Sequence, residues 1–170
     1  MRPSSGGSET MTTMPQSQIT PDQDAVITEI EIAAPPERVF QALTDPAQLM
    51  LWWVATPKGA LWEMDARLGG KWRYELIVPS EKIAVNGVRN VKLHGEITEF
   101  DPPRVLAYTW LGNWHEHPER PSMARWELSA TRTGTRVKVT HSGLANEPIV
   151  RKNYAGGWPG VLEKLRNHCA

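Results

Sequence analysis

The five histidines and their neighbours are the first candidates for acid–base chemistry in this chain. His94 stands in a strand-like segment with Glu96 at the same parity, and Tyr74 lies in the strand-like segment before it. As a general acid or base, His94 would need a carboxylate or hydroxyl partner and an orientation towards an enclosed site. We favour a solvent-facing or hydrogen-bonded strand histidine, and His94 acting with Glu96 or Tyr74 is the catalytic alternative.

The remaining candidates for chemistry are weaker. His115 and His117 are two residues apart, but a metal site needs a third ligand on a fixed scaffold, and a loop bounded by prolines is not such a scaffold. His141 ends the last strand, where we expect it to anchor a loop by a hydrogen bond or to close the mouth of a cavity. Cys169 has no base near it in the sequence. With no phosphate-binding or nucleotide-binding motif, we predict no metal and no cofactor.

Tryptophan is over-represented, since 8 Trp exceed 3 Tyr and 2 Phe combined. Aromatic and methionine side chains at strand or helix spacing either fill a core or line an apolar cavity. Periodicity alone does not separate these two roles.

Charge and cysteine content exclude several functional classes. The 170 residues contain 19 basic and 19 acidic side chains, so the basic bias of a nucleic-acid or membrane-surface binder is absent. No apolar run is long enough for a membrane span. The single cysteine cannot form an intrachain disulfide, which is typical of the reducing cytoplasm. We therefore expect a cytoplasmic protein with no nucleic-acid or membrane partner.

The elements that must position these side chains form one domain over residues 25–170. Residues 1–24 are poor in large apolar side chains and are predicted to be a disordered leader. A period-two strand over 25–32 precedes two short helices, further strands bring the total to about six or seven, and a helical apolar stripe follows from Val150 to Leu165. Gly156-Gly157 and Pro159 predict either a kink near Gly157 or a helix that begins near Trp158.

Six short motifs appear in a fixed order along the chain. They are Trp52-Trp53, Asp65-x-Arg67-x-Gly69-Gly70-x-Trp72-x-Tyr74, the segment from Gly95 to Arg104, Tyr108-Thr109-Trp110, Thr140-His141-Ser142-Gly143-Leu144, and Gly157-Trp158-x-x-Val161-Leu162-x-x-Leu165. Together they resemble the START-like (SRPBCC) superfamily and, within it, the family of homologues of the activator of heat-shock-protein ATPase, C-terminal domain type. The resemblance implies an α+β helix-grip fold, with a curved antiparallel sheet wrapped around a long C-terminal helix and a deep apolar cavity between them.

This implied cavity makes the binding of a small hydrophobic or aromatic ligand the first functional hypothesis. The expected ligand-binding residues are Met50, Trp53, Met64, Trp72, Tyr74, His94, Trp110, Trp126, His141, Trp158 and Leu162. One alternative is a cyclase-like or hydrolase-like enzyme that acts in the same cavity. The other, which the family name implies, is an interaction protein that stimulates a chaperone ATPase. A homodimer could form through an edge strand or the Trp114 loop.

Overall fold

The computed structural model describes residues 14–53, 60–77 and 88–170 of the chain. In these residues, eight strands form one sheet and three helices pack against it. The strands are β1 (Ser17–Ile19), β2 (Val26–Ile32), β3 (Ala60–Met64), β4 (Lys71–Ile77), β5 (Asn90–Asp101), β6 (Val105–Gly112), β7 (Ser122–Ala130) and β8 (Thr135–Ser142). The helices are α1 (Pro36–Thr44), α2 (Pro46–Trp52) and α3 (Pro148–Cys169).

The sheet confirms the predicted α+β helix-grip architecture and contains one strand more than the upper predicted number. Its order is β1-β2-β8-β7-β6-β5-β4-β3, and neighbouring strands are antiparallel. The additional strand is β1, which lies within the segment 1–24 that the sequence predicts to be a disordered leader; residues 1–13 of that segment lie outside the described residues. Strand β1 is held by backbone pairing with β2 and by a 2.8 Å contact between the Ser17 and Thr28 hydroxyl oxygens. Because these contacts are made with another part of the chain, the local composition of β1 does not predict a strand.

Asp45 separates the two short helices. Its side chain accepts a hydrogen bond from the backbone N–H of Ala47 at 3.0 Å, and Pro46 occupies the first helical position of α2. A proline costs little there because that N–H has no partner inside the helix. Asp45 is therefore the N-cap of α2, and Trp52 and Trp53 lie at the other end of this helix.

Helix α3 crosses the concave face of the sheet as one element from Pro148 to Cys169, so the predicted start near Trp158 is wrong. Pro159 has no N–H to donate one turn back, which weakens the helix at that point. Buried side chains on both sides of this position, from Val150 to Leu165, keep both halves of the helix on the sheet. Tertiary packing therefore outweighs the local helix-breaking signal.

The two faces of the sheet differ sharply in chemistry. In β4, Trp72 and Tyr74 point inward and are buried, while Lys71 and Arg73 point outward. The outward side chains pair with acidic residues of other strands. Arg73–Glu63, Lys71–Glu96 and Arg136–Glu29 join neighbouring strands, and Arg125–Glu99 joins β7 to β5 across β6. Basic and acidic side chains thus form ion pairs on the convex face, whereas the inward face contributes to the core and the site.

Candidate functional site: an aromatic cavity

A cavity of about 290 Å³ lies between the concave face of the sheet and α3. It opens along α3, where Asn153 and Gly157 line it and are exposed. The described residues that line it are Trp53, Tyr74, Leu76, Val91, Leu93, Trp110, Trp114, Asn153, Tyr154, Gly157, Trp158 and Val161.

Strand and helix periodicity account for these positions. Tyr74 and Leu76 are two residues apart in β4, and Val91 and Leu93 are two residues apart in β5, so each pair shares the inward face. On α3, the lining residues fall three or four positions apart from Tyr154 to Val161, which gives one helical face. The half-buried Trp53 reaches the cavity from the end of α2.

The aromatic walls are held by contacts between rings. The ring of Trp53 lies 5.1 Å from that of Trp62 and 6.0 Å from that of Trp158, in edge-to-face geometry. The ring of Trp110 lies 5.0 Å from that of Trp72 and 5.7 Å from that of Trp158. Such offset pairs stabilise more than the burial of their area alone. The wall is therefore a packed cluster that can keep its shape around an empty space.

The indole N–H groups of two wall residues donate to other protein groups. Trp110 Nε1 donates to the Tyr154 hydroxyl at 2.7 Å, and Trp158 Nε1 donates to His141 Nδ1 at 3.2 Å. Two other indole nitrogens, those of Trp62 and Trp114, have no hydrogen-bond partner and are buried. The indoles therefore offer the cavity mainly their ring surfaces.

The groups that line the cavity are uncharged at neutral pH. None of the described lining residues is acidic or basic. Burial raises the pKa of Tyr74 to about 12, and burial also raises the pKa of Tyr154 well above its ordinary value of 10.0. Both phenols are therefore protonated, and the described lining residues offer no fixed charge to bind an ionic ligand.

A polar cluster lies behind the wall. The Tyr154 hydroxyl contacts His115 Nε2 at 2.7 Å, and His115 Nδ1 lies 3.9 Å from Glu147 Oε2. The side chains of His115 and Glu147 are 0% and 3% exposed. Glu147 also accepts a hydrogen bond from the backbone N–H of His117 at 3.3 Å, which ties the loop after β6 to the start of α3.

His141 belongs to the same buried layer. Its Nε2 contacts the Ser122 hydroxyl at 2.7 Å, and that hydroxyl donates to the Trp110 carbonyl at 3.1 Å. The His141 ring lies 4.3 Å from the Tyr154 ring. The imidazole thus supports Trp158 and Tyr154 from behind.

Both buried histidines are neutral at neutral pH. Burial lowers the pKa of His115 to about 4, a shift that the nearby Glu116 carboxylate partly offsets. Burial, together with the proximity of His115, lowers the pKa of His141 to about 3. A neutral imidazole can serve as a hydrogen-bond acceptor at one nitrogen and a donor at the other.

The predicted ligand-binding residues are divided between the cavity and its surroundings. Four of them line it, namely Trp53, Tyr74, Trp110 and Trp158. His141 and Trp72 lie behind these side chains. The other residues lie elsewhere, with Trp126 and Leu162 in the packed core, Met50 and Met64 partly buried against it, and His94 on the outer face.

The structure does not bring the proposed catalytic alternative together. His94 and Glu96 are exposed on the convex face of β5, because Val91 and Leu93 take the inward positions of that strand. Tyr74 faces the cavity on the other side of the sheet. His94 therefore lies across the sheet from the cavity and from Tyr74.

The His115-Glu116-His117 segment forms polar contacts with α3. Glu116 Oε1 accepts hydrogen bonds from the backbone N–H groups of Ile149 and Val150, at the first turn of α3. In the part of the chain that the structure describes, no three His, Cys, Asp or Glu side chains are grouped so that they could hold a metal ion.

Sequence reasoning did not assign several lining residues to the site. Tyr154 was recognised only as part of the apolar stripe of α3, although it lies four residues before Trp158 and thus on the same face. Leu76 and Leu93 share the inward parity of their strands. The contact between Tyr154 and His115 joins residues 39 positions apart, and no local pattern encodes it.

Several solved structures share this architecture. Protein CV1439 from Chromobacterium violaceum matches with a TM-score of 0.68 and 22% identity, over 86% of this chain and 97% of that one. Protein Ms6760 from Mycobacterium smegmatis matches with a TM-score of 0.68 and 20% identity, over 92% of this chain and 94% of that one. Protein MLL2253 from Mesorhizobium loti matches with a TM-score of 0.66 and 24% identity, over 85% of this chain and 95% of that one. At these identities the likeness shows the fold, which is the START-like fold.

The family follows from the sequence match. The family described as "Activator of Hsp90 ATPase homolog 1-like protein" matches residues 33–170, so the chain belongs to that family. No curated protein matches it significantly. None of the helices in the described ranges has the length and apolar character needed to cross a membrane.

Proposed function

We propose that this protein binds a small, uncharged, aromatic or otherwise apolar molecule in the cavity beneath α3. The observation that carries the proposal is the cavity itself, about 290 Å³ in volume and walled mainly by aromatic and aliphatic side chains. A fully packed core would bury the same side chains without leaving this space. The balanced charge and the single cysteine support a cytoplasmic setting.

The volume limits the size of the ligand. Ligand pockets usually begin at about 300 Å³, so this cavity is at the small end of that range. An apolar cavity of about 150 Å³ holds one benzene molecule. A cavity of about twice that volume suits a compound with two fused rings.

The polarity of the wall limits the chemistry of the ligand. No described lining residue carries a charge, and the N–H groups of Trp110 and Trp158 are bonded to protein acceptors. A carboxylate or ammonium group would lose its hydration without gaining a partner of opposite charge. Neutral aromatic compounds therefore fit the site better than ionic ones.

Naphthalene tests the proposal because it is a neutral two-ring compound. Titration should change the tryptophan fluorescence in a saturable way, since Trp53, Trp110 and Trp158 line the cavity. A naphthalene carboxylate of similar size should bind at least about tenfold more weakly, which corresponds to about 1.4 kcal/mol.

Two glycines of α3 provide a matched pair of variants. A Cβ added at Gly157, which lines the cavity, or at Gly156, which does not, would meet no atom within 4 Å, so neither substitution creates a clash at that atom. We expect Gly157→Leu to raise the Kd for naphthalene about tenfold or more by occupying the mouth, whereas Gly156→Leu should leave it unchanged. Equal affinities in the two variants, or no saturable binding to the unmodified protein, would contradict the proposal.

A further inference from the structure

One phenol hydroxyl in the wall of the cavity, that of Tyr154, can accept a further hydrogen bond. Trp110 and Tyr154 both line the cavity, and they meet at the Tyr154 hydroxyl. An indole N–H can only donate, so the Tyr154 oxygen accepts from Trp110 Nε1 across 2.7 Å. The other contact of this hydroxyl is with His115 Nε2, also at 2.7 Å, and the tautomer of the imidazole determines which group donates there.

The charge of Glu147 favours one tautomer of His115 from 3.9 Å, a distance at which His115 Nδ1 forms no hydrogen bond. If His115 carried its proton on Nε2, the lone pair of Nδ1 would face the Glu147 carboxylate oxygen 3.9 Å away, in an environment from which both side chains exclude water. A proton on Nδ1 replaces this repulsion by attraction. Nε2 is then the acceptor, and the Tyr154 hydroxyl donates its proton to it.

The chain makes room for this arrangement. A Cβ on Gly112 would lie 2.6 Å from His115 Nε2, closer than side chains approach one another, so only glycine lets the imidazole reach this position. Burial lowers the pKa of His115 to about 4, which keeps the ring neutral and able to accept. The hydroxyl thus has its proton directed to His115 and one lone pair occupied by Trp110.

We propose that the remaining lone pair of Tyr154 Oη is the polar anchor of the cavity and selects neutral aromatic ligands that carry one hydrogen-bond donor, an O–H or an N–H. This inference rests on the proposed function and adds the substrate class. Ligands of equal size that can only accept a hydrogen bond find no partner at Tyr154, because its proton is held by His115. His115 and Glu147 are positioning residues, since they act on the ligand through Tyr154.

The test compares 2-naphthol, which donates a hydrogen bond, with 2-methoxynaphthalene, which only accepts one. We expect the unmodified protein to bind 2-naphthol about fivefold more tightly, as one net hydrogen bond allows. Tyr154→Phe keeps the ring and removes the oxygen, so the ratio of the two Kd values should fall to about one. Glu147→Gln should reduce the same ratio, because it removes the charge that favours the Nδ1–H tautomer.

The possible outcomes separate this inference from the proposed function. If none of the three compounds binds, both fail. If they bind but the donor preference is absent, or persists unchanged in Tyr154→Phe, the cavity proposal stands and the anchor proposal is overturned. If Tyr154→Phe weakens 2-methoxynaphthalene binding more than naphthalene binding, the anchor proposal is also overturned, because Tyr154 would then be donating to the ligand.

A second measurement requires no variant. The ¹⁵N chemical shifts of His115 in the unmodified protein at pH 7 distinguish a protonated from an unprotonated ring nitrogen. We expect a protonated Nδ1 and an unprotonated Nε2. A protonated Nε2 would overturn the proposal even if Tyr154→Phe failed to fold.

Discussion

Two regions of the same interior use tryptophan in different ways. In the packed region, defined here by Leu106, Trp126, Val137 and Leu165, every residue is 0% exposed. In the cavity region, defined by Trp53, Trp110, Tyr154 and Gly157, the rings surround a space of about 290 Å³, and Trp53 and Tyr154 are only half-buried.

The difference lies in what faces each indole across the interior. Trp126 packs edge-on against Trp158 at 5.5 Å and donates to the Tyr108 hydroxyl at 2.9 Å. Trp53 and Trp110 instead border the cavity beside Gly157 of α3, which has no side chain to fill the space next to it. The residue opposite a tryptophan, rather than the tryptophan itself, therefore decides whether the ring fills space or lines it.

The largest effect expected from this comparison is on stability. Trp126→Ala should lower the free energy of unfolding by about 3–5 kcal/mol, because the lost ring leaves a hole in a fully packed region. Trp53→Ala should cost only about 1 kcal/mol, since that ring is half-buried and already borders a cavity. Urea denaturation of both variants measures the difference. Equal losses would show that the two regions are packed alike.

The second prediction concerns acid, and it depends on the buried layer behind the cavity. The ordinary pKa of 6.5 falls to about 4 for His115 and to about 3 for His141 in the folded protein. Below pH 6.5 the unfolded chain therefore binds protons that the folded protein does not, so the stability present above pH 6.5 is lost as the pH falls. Between pH 6 and pH 5 the two histidines should together remove about 2 kcal/mol.

His115→Gln provides the control for this pH dependence. It removes one of the two titrating groups, so the loss between pH 6 and pH 5 should be smaller than in the unmodified protein by about 1 kcal/mol. Urea unfolding at a series of pH values measures both slopes. An unchanged slope would mean that His115 is protonated in the folded protein, which contradicts its burial.

The sequence predicted the fold more fully than the site. Strand parity groups Trp72 and Tyr74 on one face of β4, and the capping pattern Asp45-Pro46 is local, because each depends on neighbours in the sequence. Parity does not show which face of the strand is concave. Strand β1 was missed because pairing with β2 holds it. The contacts of Tyr154 with Trp110 and His115 span 44 and 39 positions, so only the folded chain brings them together.

The smallest effect is expected on the convex face, where the contrast is between the two sides of β4. Lys71→Met breaks the ion pair with Glu96, in which both side chains are largely exposed. Water and salt screen such pairs, so the free energy of unfolding should change by less than about 1 kcal/mol. Naphthalene affinity should not change, because Lys71 does not line the cavity. Altered affinity in this variant would place the ligand outside the cavity.

The most direct test of the central claim is where naphthalene binds. Intermolecular NOEs should connect its protons to the side chains of Tyr154, Trp110 and Val161, which line the cavity. The structure also has an open apolar groove between α1 and the turn after β5, lined by Phe40 and Phe100. NOEs to Phe40 and Phe100, with none to Tyr154, would contradict the account by placing the ligand on the surface.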